Sequence, residues 1–571
     1  MGASSPAANP VAALRELSHS FGPAAARRKE RALRGVSRTA NLDTAALSEL
    51  QGVLNFMRAY PDNPTVRREV LGLIESLRGR ISLLAGDGAE DDLVNTGLPG
   101  ATQRYSYHYN VLREMVQAFP GCLDVDWDEL EEEQEAALCD VLKLCLPPAE
   151  ADGLGDDRLN LEEWFTLAKS HPGHTDLEIL LGLLVGAEHA ETVMARLVDR
   201  IDVPIRYELD TPGTGRCEVD IPVRRVQYQR SDVTRERFDL EPVIRSPLPV
   251  PRPLPVAEGR ELMRAAHAAL SSRNLEIYPL IHGNPADVMR VACGRGIEVV
   301  LVGIRPRFRA ALESIYFFLI LKNGVPAAYG PAGVFLGACE MGINLFPEFR
   351  GAEIRLIYAQ LMRVLRHVLG VQYYYLLPYG MGDDNTEALE SGAFWFYRKL
   401  GFRAANPRVE ALAQEEEARM RAEPGHRSGL RMLRRLSHTN AYFDLSGGQC
   451  GPFDYGAIGV AVSRFITEQY AGDRGKAEKA CSAWLTRELG ARPLAKLKAS
   501  EQLVVGNLAP LLRMLRGVRT WSRADKKALA QAVRAKAGAS EAPAARAFAR
   551  HPRFGPALRE LVGPSLVRYP V

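Results

Sequence analysis

Residues 338–369 read ACEMGINLFPEFRGAEIRLIYAQLMRVLRHVL, and this stretch decides the fold. Ala338 to Phe346 is a strand-like run, and Pro347-Glu348-Phe349-Arg350-Gly351 is a sharp turn. Glu353 to Leu369 then places Ile357, Leu361, Val364, Leu365 and Val368 on one helical stripe. Val371 to Leu377 follows as a buried strand, and Thr386 to Leu400 as a second helix ending at Gly401. The order strand, loop, helix, strand, helix is that of an α/β unit. A strand-to-helix turn carrying Arg-Gly suits an anion, because the free amides of the first helical turn and the positive end of the helix dipole both face it. A plain connection would read the same way.

Working outward, Glu298 to Ile304 and Tyr316 to Lys322 are strand candidates, and Asn323-Gly324 supplies the positive φ that a tight hairpin needs before a return strand, Val325 to Gly330. A helix is expected from Glu258 to Leu270. Ahead of it, Ser246-Pro247-Leu248-Pro249-Val250-Pro251-Arg252-Pro253-Leu254-Pro255 alternates prolines that fix φ and remove amide donors, so an extended linker is expected.

The flanks are different in kind. From Asn41 to Leu84 apolar residues recur at helical spacing on both sides of the turn Pro61-Asp62-Asn63-Pro64, which reads as a helical hairpin without a second copy. Residues 100–240 mix helices, Tyr109 to Phe119 and Asp176 to Leu197, with β-rich runs such as Arg216 to Val226. Asp124, Asp126, Asp128 and Glu135 imitate a calcium loop, but Glu129 stands where its turn glycine belongs, so a structural role is expected. Beyond Glu410 the chain reads as helical. The expected organisation is a helical region 1–95, a mixed α+β domain 96–245, a linker 246–256, an α/β domain 257–405 with a mixed sheet, and a helical, basic region 406–571.

Composition bounds the function. At 571 residues with 46% hydrophobic and 25% charged residues, the chain should fold as several packed units. Seventy-two basic residues against 69 acidic give a net charge of only +3, so charge alone nominates neither nucleic acid nor a membrane. The distribution is uneven: residues 471–571 hold 20 basic and 7 acidic side chains. That basic end could meet RNA or an acidic partner, though docking on the chain's own acidic part is the preferred expectation. Eight cysteines without a CxxC pair argue against a zinc ribbon or disulfide framework, and no stretch is apolar for about 18 residues, so a cytoplasmic protein without a membrane partner is expected.

The span from roughly 310 to 405, about one sixth of the chain, resembles the GNAT superfamily of acyl-CoA-dependent N-acyltransferases. LILKNGVPAAYG (319–330) is similar to its central strands, LFPEFRG (345–351) to the start of its motif A, and AFWFYRKLGF (393–402) to its motif B, commonly written FYxKLGF. The resemblance implies an acetyl-CoA or other acyl-CoA co-substrate, with Leu345, Arg350, Gly351, Ala352, Arg355 and Asn385 as cofactor-binding residues. It also implies Glu340 as the base that deprotonates an acceptor amine and Tyr397 as the acid that protonates the departing thiolate.

Three residues depart from the pattern. Glu353 and Arg355 stand where small residues are expected, and a carboxylate beside a diphosphate repels it by about 1 kcal/mol even when hydrated. Glu390 stands where an Asn is common, and the nearest Asn is Asn385 in the polar loop Tyr379 to Asn385, which suits either a turn or selection of the amine. His282 and His367 lack ligand-spaced partners and are expected to be structural, and Ser391 lacks a nucleophile elbow. The expected function is acyl transfer from acyl-CoA to a small-molecule or peptidyl amine. The alternatives are a non-catalytic scaffold that keeps the fold, favoured by Glu353, Arg355 and Glu390, and a transferase using aminoacyl-tRNA, suggested by the basic end.

Overall fold

The computed structural model describes residues 10–39, 41–86, 88–154, 159–169, 173–186, 191–233, 238–351, 353–490 and 498–562. Its strands in chain order are β1 (Thr102–Tyr105), β2 (Leu123–Val125), β3 (Ile205–Glu208), β4 (Gly283–Gly294), β5 (Ile297–Ile304), β6 (Ser314–Lys322), β7 (Val325–Phe335), β8 (Ala338–Met341), β9 (Asn344–Leu345), β10 (Tyr373–Leu376), β11 (Arg403–Ala404) and β12 (Ala441–Asp444). The first three form a small sheet, ordered β1-β3-β2. The rest form a nine-stranded sheet ordered β11-β12-β10-β8-β7-β6-β5-β4, with β9 paired to β7. The protein is therefore mixed α/β.

Local chemistry explains the central hairpin. Asn323 and Gly324 take φ of +50° and +83°, joining β6 to β7 by the two-residue turn whose twist matches the strands. All pairs in the large sheet are antiparallel except β8 with β10, which the helix Ile354–Leu369 connects. A parallel pair needs such a crossover. The helix ends at Gly370, whose φ of +79° makes it a left-handed C-cap.

Both faces of the sheet are covered. Cys339, Met341, Val334, Phe318, Ile320 and Leu301 meet the apolar stripe of helix 354–369. On the opposite face, Val300, Val302, Phe317, Leu319 and Ala327 pack with helix Val256–Ser271 and the core of residues 107–221. Phe335 is instead covered by the helices beyond residue 453. The N-terminal helices Pro10–Ser18, Pro23–Arg38, Thr44–Ala59 and Pro64–Gly86 keep their own core, built on Leu33, Leu50, Leu54, Val70 and Leu77.

Several expectations need correction. The α/β unit does not close at 405, because β12 inserts between β10 and β11. Arg216 to Val226 forms no strand. The expected helix 386–400 breaks into Thr386–Glu390 and Ala393–Lys399 at Gly392, φ +69°. The linker is tethered rather than free: Arg363 donates to the carbonyls of Ser246 and Pro247, and the Leu254 amide donates to the Val288 carbonyl. No disulfide links the cysteines, and among the described residues no helix is long and apolar enough to cross a membrane.

Candidate functional site

The run 338–346 is not one continuous strand, and its interruption builds the site. β8 pairs with β10 from Ala338 opposite Tyr373 as far as Glu340 opposite Tyr375. After Met341 the chain leaves β10 and turns toward β7, where Asn344 and Leu345 pair with Tyr329 and Ala328. Two parallel neighbours therefore separate at their C-terminal ends and leave a wedge, the place where open α/β sheets expose backbone to ligands. Gly342 sits at the bend, and its carbonyl lies where a side chain on Gly330 would have to go, so the close approach of the two chains requires Gly330.

The wedge opens on a cavity of about 1350 Å³. Gly342 to Pro347 form its sheet wall, and Arg350, Gly351 and Ile354 form the rim that leads into helix 354–369. The segment from Tyr379 to Tyr397 lies opposite, and the N-terminal helices close the remaining side through His19, Gly52, Asn55 and Phe56. Gly351 has φ +86°, the left-handed backbone that turns Arg350 toward Glu387 at 2.8 Å. Among the described residues no side chain caps the first turn of helix 354–369, so its amides remain available at the rim.

The structure brings together five of the sequence-nominated residues: Leu345, Arg350, Gly351, Asn385 and Tyr397 all line this cavity. Ala352 lies outside the described residues. Arg355 does not reach the cavity; its guanidinium donates to the carbonyls of Phe238 and Lys399 and ties the helix to neighbouring segments. Asn385 is occupied in part as the N-cap of Thr386–Glu390, accepting from the Ala388 amide at 3.1 Å.

Glu353 does not confront the rim. Its side chain is fully buried on the other side of the loop, where Oε2 accepts from Lys322 Nζ at 2.9 Å and Oε1 meets Arg295 at 2.6 Å. The carboxylate is neutralised by two cations, so the expected repulsion of a diphosphate is absent. Burial pushes the Lys322 ammonium below its usual range even though Glu353 opposes the shift.

Glu340 points to the sheet face that carries Gly333, away from helix 354–369, and does not line the cavity. Burial first, then the charge of Glu313, pushes its carboxyl up, while a hydrogen bond from Tyr375 partly reverses the shift. Tyr397 is buried among Tyr358, Phe396 and Phe402, and burial raises its phenol so that it stays protonated.

Sequence reasoning missed the basic floor. Arg273 stacks on Phe346 at 4.1 Å and donates to Glu348 at 2.8 Å; Asn55, from the N-terminal helices, donates to the same oxygen at 2.6 Å. Arg216 lies beside them, held on the carbonyls of Ser272 and Asn95. Burial, then repulsion from Arg273, brings it down to about 10. No local motif marks these residues, because Asn55, Arg216, Arg273 and Glu348 lie at least 57 positions apart and meet only in the fold.

Among the described residues no group of acids, histidines or cysteines could hold a metal ion. His367 is structural: its Nε2 bonds the Ser246 carbonyl at 2.9 Å. His282 stacks on Phe308 at 4.0 Å, and burial lowers it to about 4. Searches of protein-family models, of curated proteins and of solved structures return no match.

Proposed function

We propose that the protein is a GNAT-type N-acyltransferase that takes an acyl group from acyl-CoA and delivers it to an amine. The observation that carries this reading is the wedge between β8 and β10, opening directly on the Arg350-Gly351 rim and the uncapped helix. A diphosphate at the rim would meet the helix amides and Arg350, while a pantetheine arm would follow the unpaired backbone of Gly342 to Asn344. The cavity volume is ample for both a cofactor arm and an acceptor.

The chemistry follows from position. The amine nitrogen loses a proton and attacks the thioester carbonyl, the carbon–sulfur bond breaks, and the thiolate is protonated. Tyr397, protonated and facing the cavity, is the acid. Glu340 lies two residues before the bend at Gly342 and has the raised basicity a base needs; since it stops short of the cavity, its proton would travel through a water. The scaffold reading rested on Glu353, Arg355 and Glu390, and the first two of these side chains are engaged away from the rim.

Calorimetric titration with acetyl-CoA and longer acyl-CoAs tests the proposal. Saturable heat with thermal stabilisation is expected for at least one; absence of both for every chain length refutes it.

A further inference from the structure

A second cavity lies at the opposite end of helix 354–369. Its 16 residues separate the two sites by about 24 Å. This cavity, about 470 Å³, is lined by Val250 of the tethered linker, by Arg366, His367 and Gly370 to Gln372, and by Arg546, Ala549 and Arg550 of helix Ala542–Arg550. Among the described residues no aspartate or glutamate lines it. Its volume falls within the range of small-molecule sites.

Two of the three guanidinium groups are anchored there, and none has a carboxylate partner among the described residues. Arg546 donates through Nη1 to the Val368 carbonyl, and Arg366 donates through Nη1 to the Val371 carbonyl at 3.5 Å. These bonds use helix-end carbonyls as anchors and leave most of the five donors of each fork for something else. Arg550, one turn beyond Arg546 on the same helix face, makes no hydrogen bond or ion pair among the described residues. One arginine is enough to cap a helix end. Three in one cavity without a carboxylate repel each other; the Arg546 guanidinium is held below its usual range first by burial and then by Arg550. An anion with several oxygens removes that repulsion, and planar forks favour phosphate geometry.

We propose that this cavity is a second binding site, separate from the wedge, for a small ligand carrying a phosphate or diphosphate group. The site does not depend on the acyl-transfer reading. It is tested by calorimetry on the full chain with two probes, inorganic pyrophosphate and ADP, with sulfate as the comparison anion. Saturable binding tighter than to sulfate is expected. Similar affinity for both probes means that the phosphates alone are recognised, and tighter ADP binding means that a nucleoside adds contacts.

Arg550→Gln should raise the dissociation constant at least about tenfold with an unchanged melting temperature, since Arg550 bonds nothing among the described residues. Arg366→Gln should also raise the dissociation constant, and Arg350→Gln, at the wedge, should not. The proposal is overturned by absence of heat with both probes, by affinity no greater than for sulfate, or by binding that survives Arg550→Gln and vanishes in Arg350→Gln.

Discussion

Replacing Glu353 by glutamine separates the two places its carboxylate could act. In the structure the side chain is sealed against Lys322, itself 3% exposed, with Arg295 beyond it. Glu353→Gln preserves shape but leaves a buried ammonium without its counter-charge, a change that costs about 3–5 kcal/mol. The cost has a ceiling. Lys322 can shed its proton instead, which at pH 7 costs about 5 kcal/mol against an ordinary lysine. That ceiling falls by about 1.4 kcal/mol for each pH unit as pH rises toward 10, because the unfolded state holds one proton that the folded variant lacks.

Urea denaturation of both proteins at pH 7 and pH 9 should therefore show a large gap that narrows at the higher pH. The double variant Glu353→Leu with Lys322→Met should recover most of the loss, since an apolar pair can replace a buried ion pair. Affinity for acetyl-CoA should be unchanged in Glu353→Gln. Had the carboxylate faced a diphosphate, removing it would tighten binding by about fivefold. A stable Glu353→Gln protein with tighter CoA binding would refute the placement of this side chain.

Three other outcomes follow from the same geometry. Tyr397→Phe should lower kcat by about tenfold or more while leaving KM nearly unchanged, as loss of a proton donor acts on the transition state; equal loss in both would remove the acid role. Gly351→Ala should cost about 1 kcal/mol through its left-handed backbone, since no atom crowds the position, and steady-state kinetics should show a raised KM for acyl-CoA. His267 is fully buried, and burial lowers it to about 4. The unfolded chain then takes up the extra proton between pH 6.5 and 4, so this residue makes stability fall as pH drops through that window, by about 3 kcal/mol in full. The difference between pH-dependent denaturation curves of the wild type and His267→Leu should show that slope, and parallel curves would exclude it.

What was legible in the sequence lay close in the chain. The Asn323-Gly324 turn, the apolar stripe of helix 354–369 and the turn glycine at 351 follow from backbone sterics and a 3.6-residue period, which act over a few residues. The same local signals, joined to a family resemblance, nominated Arg350, Gly351, Asn385 and Tyr397, which the fold does gather around one cavity. Tertiary structure decided the rest. Whether Glu353 repels an anion or balances Lys322 depends on a contact across 31 residues, and β12 enters the sheet from a segment that by composition belonged to the helical end. The floor formed by Arg216, Arg273, Glu348 and Asn55 exists only because four distant segments pack together. Local patterning sets which way a backbone turns; which side chains then share a buried space is set by long-range packing, and a linear chain carries no short-range mark of it.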